Sequence, residues 1–213
     1  MKPLVFVCIW ILAMPVFFSS NGNETGHGFV NNIRRSQKLD SLLAENSIQS
    51  GDIVFRLGYG FISESMQKLS LKDPRYSHAG LISIEGGKPV VYHLIGGESS
   101  ASVILREPLK NFCSADNAVS FAVYRTSLDE AFKKSIDSLN RFYFSVKLPY
   151  DSRFDLATDS TMYCTEYVYK VLSKAAGKDI LISSSMLTGQ PYIACDDIYL
   201  NPVMKKIFSF NYE

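Results

Sequence analysis

The sequence predicts an α+β domain in which an antiparallel sheet packs against helices, on three observations. Runs rich in Ile, Val and Phe, such as "SGDIVFRLG" and "AVSFAVYRT", follow turn residues and read as strands. The segment "SHAGLISIEGGKPVVYHLIGG" holds two strand-like runs around Glu85-Gly86-Gly87-Lys88, a strong hairpin signal. Later segments change to a helical period, and strands followed by helices fit an antiparallel sheet better than alternating βαβ units.

Taken in order, the chain opens on "MKPLVFVCIWILAMPVFFSS", one lysine, an apolar run and small polar residues. This is the pattern of a secretory signal peptide, and the run is short for a membrane span of about 20 residues. The expectation is an exported protein, periplasmic or extracellular, with a mature chain starting near residues 19–22; an uncleaved leader would hold it at the membrane. Cys8 lacks the small residues that precede a lipoprotein cysteine. Residues 21–30 are polar and glycine-rich, a flexible lead-in, and Ile33, Leu39, Leu42 and Leu43 predict a helix over 31–46 at the edge of the globule. The resulting division is a leader over 1–20, a linker and edge helix over 21–47, and one domain over 48–213.

Within that domain "FISESMQKLSL" predicts a short helix ending before Pro74, since a residue preceding proline is disfavoured in α geometry. "SLDEAFKKSIDSLNRFYF" places Ser127 and Glu130 in capping-box spacing ahead of Phe132, Ile136, Leu139 and Tyr143. "STMYCTEYVYKVLSKAAG" carries an apolar stripe from Cys164 through Tyr167, Val168, Val171, Leu172 and Ala175, with Gly177 where a C-terminal cap belongs. The tail after Pro191 reads as loops and short turns.

Composition narrows the function. The chain has 213 residues, is 46% hydrophobic and 20% charged, and has a formal net charge of +1. That is ordinary for one globular domain, and no basic stripe points to a nucleic-acid partner. No Cys-x-x-Cys or His-x-x-x-His spacing suggests a zinc site, and no cofactor or metal is expected. Asp151, Asp155 and Asp159 lack the glycine turn of a calcium loop and read as caps or a solvated face. Without the leader, Cys113, Cys164 and Cys195 remain, so an exported protein would keep at least one free thiol or an intermolecular pair. A Cys113–Cys195 disulfide would leave Cys164 free, but spacing alone does not establish it.

Cys164 admits two readings: a small buried hydrophobe on a helix stripe, or a nucleophile at the positive end of a helix. A nucleophile needs a base and a group to orient that base. Of the three histidines, His27 lies in the lead-in, His78 opens the first hairpin strand and His93 lies in the second. If Glu85 faces Lys88, Gly80 pairs with His93, and His78 and His93 share a face as diagonal neighbours. A loop one residue different would turn His93 to the other face.

The segments "SGDIVF", "YSHAGL", Tyr150-Asp151 with Phe154, "YCTEYVY" and "DDIYLNPVMKKI" stand in the order found in permuted papain-like cysteine amidases. Over about residues 50–208 the chain resembles the YaeF/YiiX branch of that group, related to NlpC-type cell-wall hydrolases. The resemblance implies a circularly permuted papain-like fold with the histidine-bearing sheet ahead of the cysteine helix. It implies Cys164 as nucleophile, His78 as base and His93 as the third polar residue, where this branch often has Glu. It also places Tyr150 and Asp151 near the cleft as substrate-binding candidates. The function implied is thiol-dependent cleavage of an amide, in a cell-wall peptide or a small γ-glutamyl-like substrate. Alternatives are a lipid-directed acyltransferase or lipase of the lecithin:retinol acyltransferase-like type, or a binding module without activity. The helix N-terminus and a nearby imidazolium are expected to lower the thiol pKa from ~8.5 towards ~3.5–7.5. Glu166 reads as a first-turn acid that favours the helix dipole.

Overall fold

A computed structural model describes residues 24–96, 102–126, 129–180, 185–187 and 189–212; the leader over 1–20 lies outside the described residues. Five of the strands of its main sheet were expected or lie beside expected ones: β1 (Ile53–Leu57), β2 (His78–Glu85), β3 (Lys88–His93), β4 (Leu105–Pro108) and β5 (Ser120–Thr126). The sixth comes from the tail, Met204–Asn211. Numbering in chain order makes Ser185–Leu187 β6, Gln190–Tyr192 β7 and this last strand β8. The order across the sheet is β4-β3-β2-β1-β5-β8, with every neighbouring pair antiparallel. The hairpin closes with Glu85 opposite Lys88, as expected, and continues to Leu81 opposite Tyr92.

Alternation along β1 sorts the core into two layers, because successive strand side chains point to opposite faces. Ile53 and Phe55 join Ala79, Leu81 and Tyr92 on one face. There they meet α4 (Glu130–Ser145) through Phe132, Ile136 and Tyr143, and α5 (Cys164–Ala176) through Tyr167, Val168, Val171 and Leu172. Val54, Ile82, Val91, Phe121 and Val123 form the other face. It is covered by Leu39 of α1 (Glu24–Glu45), with Leu42 and Leu43 alongside, and by Leu109 and Phe112 of α3 (Leu109–Phe112). The short α2 (Gly60–Gln67) follows β1, and α6 (Cys195–Tyr199) precedes β8.

Three local expectations are corrected. The tail after Pro191 is not mainly loop: β8 pairs with β5, burying Phe208 opposite Val123. Lys205 and Lys206 hid its period, and such lysines suit a sheet edge, where charge discourages pairing with another chain. α1 covers Glu24–Glu45, so the described residues of the segment expected to be a flexible lead-in are helical. The α4 cap is Asp129, whose side chain accepts from the Phe132 N–H at 2.9 Å; Ser127 lies outside the described residues.

Two buried polar links tie these layers to the sheet. Asp52, in the "SGDIVF" segment, is fully buried and takes both arms of Arg125, Nε at 2.6 Å and Nη2 at 2.7 Å, which fixes the start of β1 to β5. Asn140 of α4 donates through Nδ2 to Ser83 Oγ of β2 at 2.9 Å and accepts from the Tyr167 hydroxyl of α5. One amide thereby joins both core helices to the sheet. Asn140→Ala should strand two buried hydroxyls and cost about 2–4 kcal/mol. Chemical denaturation of a variant with native far-UV dichroism checks this; stability equal to the parent would contradict it.

Candidate active site

Cys164 is the first residue of α5, and local sequence makes that start. Tyr163 stands at the N-cap in extended geometry, and its N–H donates to Glu166 Oε2 at 3.1 Å. Glu166 Oε1 lies 2.8 Å from Lys170 Nζ, and the carboxylate is fully buried, which pushes its pKa up to about 7. Its role here is to close the helix start rather than to face the cleft. Gly177 ends the helix at φ 64°, a left-handed position that glycine adopts without strain.

The histidines meet as the register requires. His78 Nε2 lies 2.9 Å from His93 Nδ1, and His93 Nε2 lies 2.9 Å from Glu107 Oε1 of β4. Proton counting along this row favours one pair of tautomers. A carboxylate only accepts, so His93 carries its proton on Nε2, and neutral His93 then accepts at Nδ1. His78 must donate from Nε2, which leaves His78 Nδ1 as a free base. Gly80 makes the approach possible: a Cβ there would stand 2.5 Å from Val91 Cγ1 and 3.1 Å from His93 Cβ.

Around the pair, Phe112 stacks on His78 with ring centroids 5.5 Å apart and meets His93 edge-on at 5.1 Å. The Arg56 guanidinium lies 4.3 Å from the Phe112 ring centre and donates to the Phe112 carbonyl at 3.1 Å. Burial, then the His93 charge and Arg56, hold the His78 pKa well below its ordinary 6.5. Burial and Arg56 also lower His93, against the opposing pull of Glu107. Both rings are therefore neutral near pH 7.

Cys164 comes to the backbone beside His78. The N–H of Ala79, the next residue, is directed at the sulfur, with further help from the Thr165 N–H and the cysteine's own N–H. Ser77, the residue before His78, lines the same recess as Cys164. Burial nevertheless outweighs these donors and pushes the thiol up from its ordinary 9.0. The expected low-pKa thiolate is thus corrected: neighbouring imidazoles are uncharged, and the helix end does not offset desolvation.

The remaining candidates divide. Tyr150 packs its ring against Gly96, where a Cβ would come within 2.7 Å, and its hydroxyl pKa is raised first by burial and then by the charge of Cys164. Asp151 is buried with both oxygens used inside its own turn, accepting from Arg153 N at 2.8 Å and Asp155 N at 2.7 Å. Its carboxylate shapes the loop. Asp155 likewise accepts from Ala157 N–H, and Asp159 pairs with Lys170 and Lys174, so these acids serve as caps and surface ion pairs. Cys113, Cys164 and Cys195 are all free, and Cys113 and Cys195 belong to core clusters on opposite faces of the sheet. Glu107 and Arg56 escaped the sequence reading. Glu107 lies on the edge strand that was not foreseen, and only its sign, opposite the histidines, hinted at a role.

A family profile described as "Permuted papain-like amidase enzyme, YaeF/YiiX, C92 family" matches residues 47–193. The chain belongs to the permuted papain-like amidases. Among curated relatives, YiiX of Escherichia coli (strain K12) is 29% identical over 132 residues, 61% of this chain and 59% of that protein's length. Among solved structures, the crystal structure of "metalloprotein yiiX" from Escherichia coli O157:H7 superposes with a TM-score of 0.63 at 20% identity. The superposition covers 76% of this chain and 97% of that one, and it shows the shared fold. The mixed helix and antiparallel sheet are those of a permuted papain-like enzyme, a hydrolase class. The closing "DDIYLNPVMKKI" segment lies beyond the matched residues.

Neutral buried histidines carry a stability signature. A folded-state pKa below the unfolded value of 6.5 means the unfolded chain binds protons first, so stability is intact above pH 6.5 and is lost as pH falls below it. Thermal melts between pH 7.5 and 5 should show this loss, and His78→Phe should shrink it. A flat profile over that window would contradict the assignment.

Proposed function

We propose that the chain is a thiol-dependent amidase of short peptides, with Cys164 as nucleophile and His78 Nδ1 as the atom that takes and returns its proton. The row Glu107–His93–His78 supports this reading, because it leaves one ring nitrogen of His78 unused while the N–H of the next residue, Ala79, is directed at the Cys164 sulfur. As Cys164 Sγ bonds to the carbonyl carbon, its proton passes to His78 Nδ1. His78 then protonates the amide nitrogen, the C–N bond breaks and the amine leaves a thioester. Water attacks the thioester while His78 takes its proton; the C–S bond breaks and the proton returns to sulfur. The N–H groups at the start of α5 and that of Ala79 are the nearest donors for the oxyanion, since they lie at the sulfur that would carry the carbonyl carbon.

Because thiol and rings are neutral at rest, the proton moves during attack instead of waiting in a preformed ion pair. His93 and Glu107 are positioning residues. The structural relative is titled a metalloprotein, but among the described residues no three or more His, Cys, Asp and Glu side chains are grouped to hold a metal ion. His78 Nε2 and His93 Nδ1 are also engaged with each other. The residues do not fit such a group, and no step runs through one.

Export is part of the same proposal. The apolar leader of residues 1–20 supports it, and among the described residues no helix is long and apolar enough to cross a membrane. A cell-wall peptide would then be within reach. N-terminal sequencing of protein from the export compartment should begin near residues 19–22; an intact Met1 on a soluble cytoplasmic pool would end the idea.

Turnover of peptidoglycan-derived peptides tests the chemistry. Cys164→Ala and Cys164→Ser should abolish it with little loss of stability, and His78→Ala should lower kcat by about 10²–10⁴-fold. His93→Gln should retain more activity than His93→Ala, because an amide can keep the hydrogen bond to His78. Undiminished turnover by Cys164→Ala would refute the reading. Without substrate, alkylation of Cys164 by iodoacetamide should keep accelerating from pH 7 to beyond 9, since burial raises the thiol. A plateau already reached at pH 6 would instead indicate a resting thiolate.

A further inference from the structure

Beside Cys164 lies a narrow recess with about 20 Å³ of free volume, closed on one side by Met66 of α2 and Leu69 just after it and on another by Tyr192, Ile193 and Ala194. Phe154 completes an apolar wall. The polar side chains in that wall are already satisfied within the protein. Thr165 Oγ1 donates to the Ile193 carbonyl at 2.6 Å, and the Tyr163 hydroxyl accepts from the Ile193 N–H at 2.8 Å. Ser77 Oγ lies 2.6 Å from Ser63 Oγ, and the Tyr192 hydroxyl donates to the Leu69 carbonyl. Buried carboxylates outside the lining hold the wall. Asp197 Oδ2 accepts from Ala194 N and Ser185 N, each at 3.0 Å, and Asp196 Oδ2 accepts from Lys72 N at 2.7 Å.

We infer that this recess receives a small aliphatic side chain on the acyl side of the bond that Cys164 attacks, so that the substrate class is an amide of an alanine-like residue. The inference rests on the proposed role of Cys164 and deepens it. Size and polarity carry it together. A volume near that of one water-sized group admits a methyl or ethyl group and stops a long acyl chain. A charged side chain would find no charged partner among the lining residues and would lose its water. Each methylene that fits a hydrophobic pocket discriminates by about 10–200-fold. The rest of the substrate has an adjoining open basin of about 420 Å³, lined by Arg153, Asp155, Leu156, Ala157, Gln190 and Pro191. Lining residues of the two spaces are neighbours in sequence, Phe154 between Arg153 and Asp155, and Tyr192 after Pro191.

The test is the rate at which N-acetyl-aminoacyl chloromethyl ketones alkylate Cys164, read by mass spectrometry and divided by the iodoacetamide rate at the same pH. The side chains compared are those of Gly, Ala, aminobutyrate, Leu, Asp and Lys. Ala or aminobutyrate should exceed Gly by at least about tenfold, with Asp and Lys slowest. Leu69→Ala should enlarge the recess and move the optimum towards Leu, whereas Ala194→Leu should fill it and remove the preference for Ala over Gly. Rates that ignore the side chain, or that favour Asp or Lys, overturn the inference while Cys164 remains reactive. Failure of every reagent, iodoacetamide included, to modify Cys164 overturns the underlying amidase reading instead, and the inference with it. Folding of the variants is checked by their melts, and the wild-type reagent series decides the matter without them.

Discussion

The contact on which the rest of the site depends is the one between two imidazoles, His78 Nε2 and His93 Nδ1, 2.9 Å apart. Alone it would be ambiguous, since either ring could donate. Glu107, with Oε1 2.9 Å from the far nitrogen of His93, favours a proton on that nitrogen and so gives the row a direction. The sheet provides for this alignment. β2 and β3 bring the rings to one face, Gly80 clears the space between them, and β4 at the sheet edge adds the carboxylate. Burial first, and then Arg56, works against charging of either ring, so the row stays neutral without losing its direction.

Much of this was legible in the sequence where local and global signals agree. The hairpin register followed from Glu-Gly-Gly-Lys, and it alone put His78 and His93 on one face. The α5 stripe and its glycine cap stand where the 3.6-residue period placed them. What escaped depended on distant partners. β8 has lysines within its span and becomes a strand only because β5 offers an edge. Glu107 has no local signature, because its partner is on the neighbouring strand. The cap of α4 moved to Asp129 because the first available side-chain acceptor lies nearer the helix than the capping-box pattern suggested. The thiol pKa was misjudged for a related reason: a helix end is visible in sequence, but the burial that outweighs it is a tertiary property.

The family and the geometry constrain different things. Membership in the permuted papain-like amidases accounts for the order of strands and helix. The side chains then say how this chain can use that frame. On the proposed reading, a thiol and an imidazole both kept neutral by burial would lose nothing to premature ionisation and would exchange a proton when a carbonyl arrives. The apolar recess next to the sulfur is consistent with that economy, since a dry wall strengthens the N–H groups that face the developing oxyanion. Asp52–Arg125 and Asn140 hold the surrounding layers in register from outside the chemistry.

The account's central claim is that His78 presents a bare Nδ1, and ring-nitrogen NMR of ¹⁵N-histidine-labelled protein tests it most directly. Long-range ¹H–¹⁵N correlation at pH 7.5, with His93→Asn used for assignment, should show His78 neutral with its proton on Nε2. His93 should likewise be neutral and protonated on Nε2. A His78 protonated on Nδ1, or an imidazolium at either position, would contradict the account.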